Sequence, residues 1–308
     1  MSKTKKQGGA KGETARVSRR RFLEGTAAVA GGAALVTTVA GCATAQNNSP
    51  NAPGNQNAAN QNAASTKPAA LKGQMIEYKS GEMRIPAYIV RNKMGPANGS
   101  VLVIHEVFGL NDHIKSIADR IADEGYLALA PNFFVRASEP PPKDTSDMAA
   151  LRKAASSIPN EVAIKDMQAA LDFLKTFSSV MPYTVSIGFC MGGGYSYQLA
   201  THTKDLVGAV IFYGRTPLEL VPQVSCPLLG NFGELDQGIP PEKLREFQDA
   251  LRKAGKQADI KIYAGAKHGF FNDTRPEAYN AEAAADAWQR TLRFFRDRMK
   301  KQEGGKQG

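Results

Sequence analysis

Between Met75 and Phe295, short runs of β-branched and aliphatic residues alternate with stretches whose apolar residues recur every three to four positions. This alternation restricts the fold more than any other feature of the chain. Gln74 to Lys79 and Met83 to Val90 read as strands joined at Ser80-Gly81, and Ser100 to Ile104 as a third, buried strand. Ile114, Ile117, Ala118, Ile121 and Ala122 then share one face of a helix that starts from a cap at Asn111 or Asp112 and stops near Gly125. Further strands are predicted at Tyr126 to Ala130, Tyr183 to Phe189, Val207 to Tyr213, Pro227 to Phe232 and Asp259 to Tyr263. Helices are predicted around Ile164, Met167, Leu171 and Leu174, over Met191 to Thr201, and over Pro241 to Ala254. A last helix has Pro276 near its start and Ala281, Ala284, Trp288, Leu292 and Phe295 on one face. Strands separated by helices pair in parallel through crossovers that leave helices on both sides of the sheet. The predicted fold class is therefore α/β, one domain over residues 71–302 with a mostly parallel central sheet and a short tail at 303–308.

Gly188-Phe189-Cys190-Met191-Gly192 follows a buried strand and opens a helix, the setting of a nucleophile elbow. A strand that turns sharply into a helix forces the central residue into strained backbone geometry and leaves no room for side chains at the flanking positions. Such a turn lifts the Cys190 sulfur to a helix amino terminus, where free N–H groups favour negative charge. The pentapeptide alone also fits a small buried cysteine in a plain strand-to-helix turn, or a phosphate loop.

A thiol nucleophile needs a base, and the base needs orienting. Of the four histidines, His268 follows a predicted strand in a glycine-flanked loop and is the candidate base. Asp236, in Gly233-Glu234-Leu235-Asp236 after another strand, is the candidate acceptor for its ring, with Glu234 as the substitute. The order nucleophile, acid, histidine is that of α/β-hydrolases. His113 and His202 read as solvent-facing, His105 as a structural hydrogen-bonding residue, and Cys226 as buried and inert.

Four motifs in the right order make residues 75–298 resemble the dienelactone hydrolase family of α/β-hydrolases. They are His105-Glu106-Val107-Phe108-Gly109, Gly188-Phe189-Cys190-Met191-Gly192-Gly193, Gly233-Glu234-Leu235-Asp236 and Lys267-His268-Gly269-Phe270. The resemblance implies an α/β-hydrolase fold and a hydrolase of lactones or small carboxylic esters, working through a thioester without metal or cofactor. It implies a triad of Cys190, Asp236 and His268, with Glu106 keeping the thiol neutral at rest and taking its proton when substrate arrives. It also implies an oxyanion hole from the Met191 and Val107 N–H groups. Burying Glu106 without a partner would be costly, and a thiolate is a poor partner, so a carboxylate beside a neutral thiol is chemically sensible. Family arginines bind the substrate carboxylate; Arg136 matches one such position, whereas the other is Asn272 here, and Arg275 is a candidate to reach the same pocket.

The segment before this domain has the three-part order of an export signal over residues 1–45: a basic leader, Ser18-Arg19-Arg20-Arg21-Phe22-Leu23, and an uncharged Ala/Gly-rich run to Gly41. The paired arginines resemble a twin-arginine signal. Val39-Ala40-Gly41-Cys42 resembles a lipoprotein box, with Cys42 as the lipidated residue, while Ala43-Thr44-Ala45 offers ordinary cleavage before Gln46. Residues 46–70 lack large apolar side chains over most of their length and read as a disordered tether. The expected location is the periplasm or the membrane surface of the cell envelope.

The formal net charge of +10 invites a nucleic-acid partner, but +6 of it lies in residues 1–66 and the remaining 242 residues carry only +4. No basic-aromatic stripe accompanies it, so no nucleic-acid partner is expected. The resemblance implies a small-molecule ester or lactone as the partner; the sequence leaves the oligomeric state open, with a monomer favoured. The competing class is a binding protein at the cell envelope that keeps the fold without the activity.

Overall fold

The computed structural model describes residues 71–92, 95–142 and 144–303. The export signal, the whole of the tether and the end of the tail lie outside these residues. Eight strands form one sheet: β1 (Gln74–Ser80), β2 (Met83–Arg91), β3 (Ser100–Ile104), β4 (Leu127–Pro131), β5 (Thr184–Phe189), β6 (Leu206–Phe212), β7 (Leu228–Gly233) and β8 (Ala258–Tyr263). Their order is β1-β2-β4-β3-β5-β6-β7-β8. β2 is antiparallel to both β1 and β4, and every other pairing is parallel. β3, β4 and β5 are buried along their whole length, as strands covered on both faces must be.

The helices are α1 (Asp112–Asp123), α2 (Met148–Ser156), α3 (Asn160–Leu174), α4 (Met191–His202), α5 (Pro241–Lys253) and α6 (Ala281–Glu303). The stripe Ile114, Ile117, Ala118 and Ile121 packs with Ala284, Trp288, Leu292 and Phe295 of α6 against Val101, Val103, Val185 and Ile187 of the sheet. α4 lies on the other side, where its Ser196 hydroxyl meets the Ser186 hydroxyl of β5 at 2.8 Å. α3 and α5 bury Met167, Leu171, Leu244 and Phe247. Of the two candidate caps, Asn111 fills the role: its side chain accepts the Ile114 N–H at 3.1 Å. Gly125 closes the helix in left-handed geometry at φ +89°.

Two elements depart from the sequence pattern. α2 is a helix that the pattern leaves unassigned, because its buried stripe is only Leu151, Ala154 and Ala155; the Asp147 carboxylate caps it through the Ala150 N–H at 2.9 Å. α6 begins at Ala281, after Pro276 rather than around it. Residues 269–280 are held in successive turns, and the Asn280 side chain caps the Ala283 N–H at 3.0 Å. α6 also reaches Glu303, one residue into the expected tail.

Register sets where chemistry can occur. Ile104 of β3 pairs with Gly188 of β5, Phe189 with Phe212 of β6, and Gly233 of β7 with Tyr263 of β8. The residues that leave the carboxyl ends of these strands, including Glu106, Cys190, Tyr213, Asp236 and His268, therefore emerge along one edge of the sheet.

Candidate active site

Cys190 sits between β5 and α4 at φ 55° and ψ −115°, a conformation that non-glycine residues rarely adopt. Its N–H is anchored on Phe212 O at 3.0 Å. Close approach explains the neighbouring glycines: a Cβ on Gly188 would run into the Gly192 carbonyl, and one on Gly192 into the Ile104 carbonyl. Tyr213 is the other described non-glycine residue with positive φ, at 39°, and it lines the same cavity as Cys190. Strain at both positions is concentrated at the rim of one cavity.

His268 Nδ1 lies 2.6 Å from Asp236 Oδ2, with the imidazole 41% exposed and the carboxylate 1% exposed. Asp236 is itself fixed, because its Oδ1 accepts the N–H groups of Gly238 at 2.9 Å and Ile239 at 3.2 Å. Glu234, the substitute acid, is exposed and instead accepts the Gly265 N–H at 2.9 Å, tying down the loop that carries His268. Burial opposes charge on the His268 ring, yet hydrogen bonds to Asp236 and Cys190, with the fields of both, raise it to about 10.

Glu106 is buried just past β3, and burial raises its carboxyl above the usual range. His113 nearby, hydrogen bonds from Asn272 and Tyr213, and the charge of His268 act in the other direction. The Tyr213 hydroxyl donates to Oε1 at 3.2 Å and the Asn272 amide to Oε2 at 2.7 Å. Neither partner was identified from the sequence. The strand register carried the signal for Tyr213, since it leaves β6 beside Cys190. His105 donates from Nδ1 to the Glu106 carbonyl at 2.7 Å and accepts the Phe133 N–H on Nε2 at 3.2 Å. Burial lowers its pKa to about 4, so it is a neutral framework residue.

Glu106, Val107, Cys190, Met191, Asp236 and His268 all line one cavity of about 850 Å³. Met191 opens α4, so its N–H is among those without an acceptor inside the helix. Arg275 lines the cavity too, over the Phe108 ring at 5.0 Å and paired with Glu277 at 2.6 Å. Arg152 and Arg215 also line it, and neither has an ion-pair partner among the described residues.

Two expectations are corrected. Arg136 does not line the cavity: its guanidinium grips the fully buried Asp166 carboxylate through Nε at 2.8 Å and Nη2 at 2.7 Å. A buried carboxylate demands such a partner, and the fork of Arg136 is committed to it. His113 is not solvent-facing: its side chain is 3% exposed, with Nδ1 3.1 Å from Asp273 Oδ1. His202 is exposed. Cys226 is buried and free, its thiol pushed up to about 12 by burial. Cys42 lies outside the described residues. Among the described residues, no three His, Cys, Asp or Glu side chains are grouped as metal ligands would be.

Residues 85–299 match the dienelactone hydrolase family. Two proteins named "Putative carboxymethylenebutenolidase" are similar to the chain. That of Saccharolobus solfataricus is 37% identical over 262 residues, covering 72% of this chain and 97% of the relative. That of Escherichia coli strain K12 is 34% identical over 236 residues, covering 72% and 84%. The crystal structure of a "Putative Dienelactone Hydrolase" from Klebsiella pneumoniae superposes with a TM-score of 0.68 at 30% identity, covering 74% of this chain and 99% of that one.

Proposed function

Because the chain belongs to the dienelactone hydrolase family of α/β-hydrolases and is a hydrolase, we propose that it cleaves lactones or small carboxylic esters with Cys190 as nucleophile. The observation that carries this reading is the hydrogen bond of His268 to a fixed, buried Asp236, beside a cysteine strained at the tip of an elbow in the same cavity.

In the proposed cycle the substrate enters with His268 charged, as its high proton affinity requires near neutral pH. Sγ of Cys190 attacks the carbonyl carbon while the thiol proton passes to Glu106. The Met191 and Val107 N–H groups stabilise the oxyanion. The C–O bond then breaks, and His268 gives its proton to the leaving alkoxide, producing a thioester and the alcohol. His268 next takes a proton from water, the hydroxide attacks the thioester, and the thiolate leaves. The new carboxylic acid returns its proton to the sulfur and departs as carboxylate. Each turnover therefore leaves one proton on Glu106, which is the proton that ester hydrolysis liberates near neutral pH.

Arg152 and Arg215, unpaired among the described residues and on the cavity wall, favour substrates that carry a carboxylate besides the scissile ester. They replace Arg136 in that role. The amino-terminal segment extends the proposal: twin-arginine export, then retention at the cell envelope through Cys42, with residues 46–70 as the tether.

A panel of esters and lactones, with and without a second carboxylate, tests the reading on the wild type and Cys190→Ala. Turnover is expected for the wild type alone. Undiminished kcat in Cys190→Ala would remove Cys190 from the mechanism.

A further inference from the structure

Five of the six helices are tied to the rest of the domain by side-chain hydrogen bonds. Tyr88 holds Asp119 of α1 and Arg136 holds Asp166 of α3, while Ser186 meets Ser196 of α4. Gln248 of α5 donates to Ile260 O, and Arg290 of α6 donates to Asn231 Oδ1. α2 has no such tie among the described residues. There, every hydrogen bond and ion pair of residues 144–158 ends within 138–158, including Ser146 N–H on Asp144, Ala150 N–H on Asp147, and Lys153 on the exposed Glu139 at 3.3 Å. The Ser138 N–H donates to Ser157 Oγ at 3.1 Å, a neck that closes the excursion as a unit. Both sides of the neck are fixed, because Arg136 is locked on Asp166 and Pro159 leads into α3.

Residues 138–142 and 144–147, which lead into α2, form neither strand nor helix and are mostly exposed. Among the described residues, what holds α2 down is apolar contact, through the buried Leu151, Ala154, Ala155 and Ile158. A segment with so little apolar burial and only internal hydrogen bonds opens at low cost compared with the core. This loosely held helix faces the chemistry. Met148, Arg152, Ala155 and Ser156 line the cavity that holds Cys190 and His268. Arg152 is exposed and has no ion-pair partner among the described residues. Its guanidinium is thus free to take a carboxylate, which would join α2 to whatever fills the cavity. Arg215 lines the same cavity from the frame: a Cβ on Gly194 of α4 would touch its backbone.

Resting on the proposed reading of the site, we propose that α2 is a cover for the cavity that a substrate carboxylate draws shut through Arg152. A ligand shifts such an equilibrium only by what it gains in one state over the other. The bond from Arg152 is made only with α2 seated, whereas Arg215 binds the carboxylate with α2 open or seated. Arg215 therefore supplies affinity, and Arg152 supplies closure. Esters with a second carboxylate are retained until acylation, and neutral esters escape more readily.

The test is hydrogen exchange of the full chain read by mass spectrometry, with adipate as the carboxylate probe at a concentration that saturates its inhibition of 4-nitrophenyl hexanoate hydrolysis. Without adipate, the amides of α2 are expected to exchange faster than those of α3 and α4 by roughly tenfold or more, as local opening requires. Adipate should slow α2 in the wild type and, at saturation, in Arg215→Ala, but not in Arg152→Met, whose exposed position spares the fold. Leu151→Ala keeps Arg152 but removes the main seat of α2. It should raise KM for mono-4-nitrophenyl adipate by roughly tenfold, the low end for a hydrogen bond to a charged group, and by less for 4-nitrophenyl hexanoate. A merely structural role would move both alike. α2 as protected as α3 without adipate, equal slowing in Arg152→Met, or adipate that neither inhibits nor slows α2 would each overturn the cover. Hydrolysis without acylation of Cys190 would instead remove the proposed nucleophile and leave the exchange result standing.

Discussion

Asn272 donates from Nδ2 to Glu106 Oε2 at 2.7 Å, joining two side chains that are both buried. The amide takes the position where an arginine would be expected and serves the Glu106 carboxylate, where a second charge is not needed. Asn272→Leu removes a hydrogen bond that holds the Glu106 pKa down, so that pKa should rise further above the usual carboxylate range. Glu106 must be ionised to accept the thiol proton, and the acidic limb of the kcat/KM profile is therefore expected to move to higher pH. The unsatisfied oxygen should also cost about 1–3 kcal/mol of stability, measurable by denaturant unfolding. An unmoved limb would remove Glu106 from the proton path.

Arg136 and Arg215 should separate stability from specificity. Arg136→Ala leaves the Asp166 charge buried and alone, an expected loss of about 3–5 kcal/mol. The preference for carboxylate-bearing over neutral esters should be unchanged. Arg215→Ala should do the reverse, holding stability to within about 0.5 kcal/mol while raising KM for carboxylate-bearing esters alone. That rise should shrink at high salt, because the guanidinium is exposed. Loss of carboxylate preference in Arg136→Ala would contradict the assignment.

His268 couples stability to pH. Its folded pKa is about 10, against about 6.5 for a free histidine, so the folded state binds the proton more tightly. The resulting stabilisation is complete below about pH 6.5 and is lost as pH rises to about 10. The difference in unfolding free energy between the wild type and His268→Asn should therefore shrink across that window. A difference that stays constant or grows would contradict the pairing with Asp236.

For the amino-terminal segment, intact mass of the protein recovered from a bacterial host with twin-arginine transport is the check. The expected species starts at a diacylated Cys42 and partitions into detergent. A soluble species that starts at Gln46 would replace the anchor with ordinary release.

The strand-helix alternation made the sheet legible from sequence, because buried strands such as Ser-Val-Leu-Val-Ile at 100–104 carry no polar residue beyond their first position. The elbow was legible for a different reason: glycines at 188 and 192 are forced by backbone contacts that any such turn makes. α2 was not, since an alanine-rich stripe of three buried residues gives little periodic signal. The environment of Glu106 was also hidden, because Tyr213 and Asn272 lie 107 and 166 positions away from it and meet it only through register and loop packing. Arg136 misled for the same reason. Its partner Asp166 is 30 positions away on α3, and no local pattern marks a buried carboxylate that needs a guanidinium.

Mass spectrometry of the enzyme quenched in acid during turnover of a slow ester reads the acylation of Cys190 itself. A mass increase equal to the acyl group is expected, mapped to the peptide containing Cys190, absent in Cys190→Ala and accumulating in His268→Asn. An unmodified Cys190 with product still forming, or an acyl group found on another residue, would contradict it.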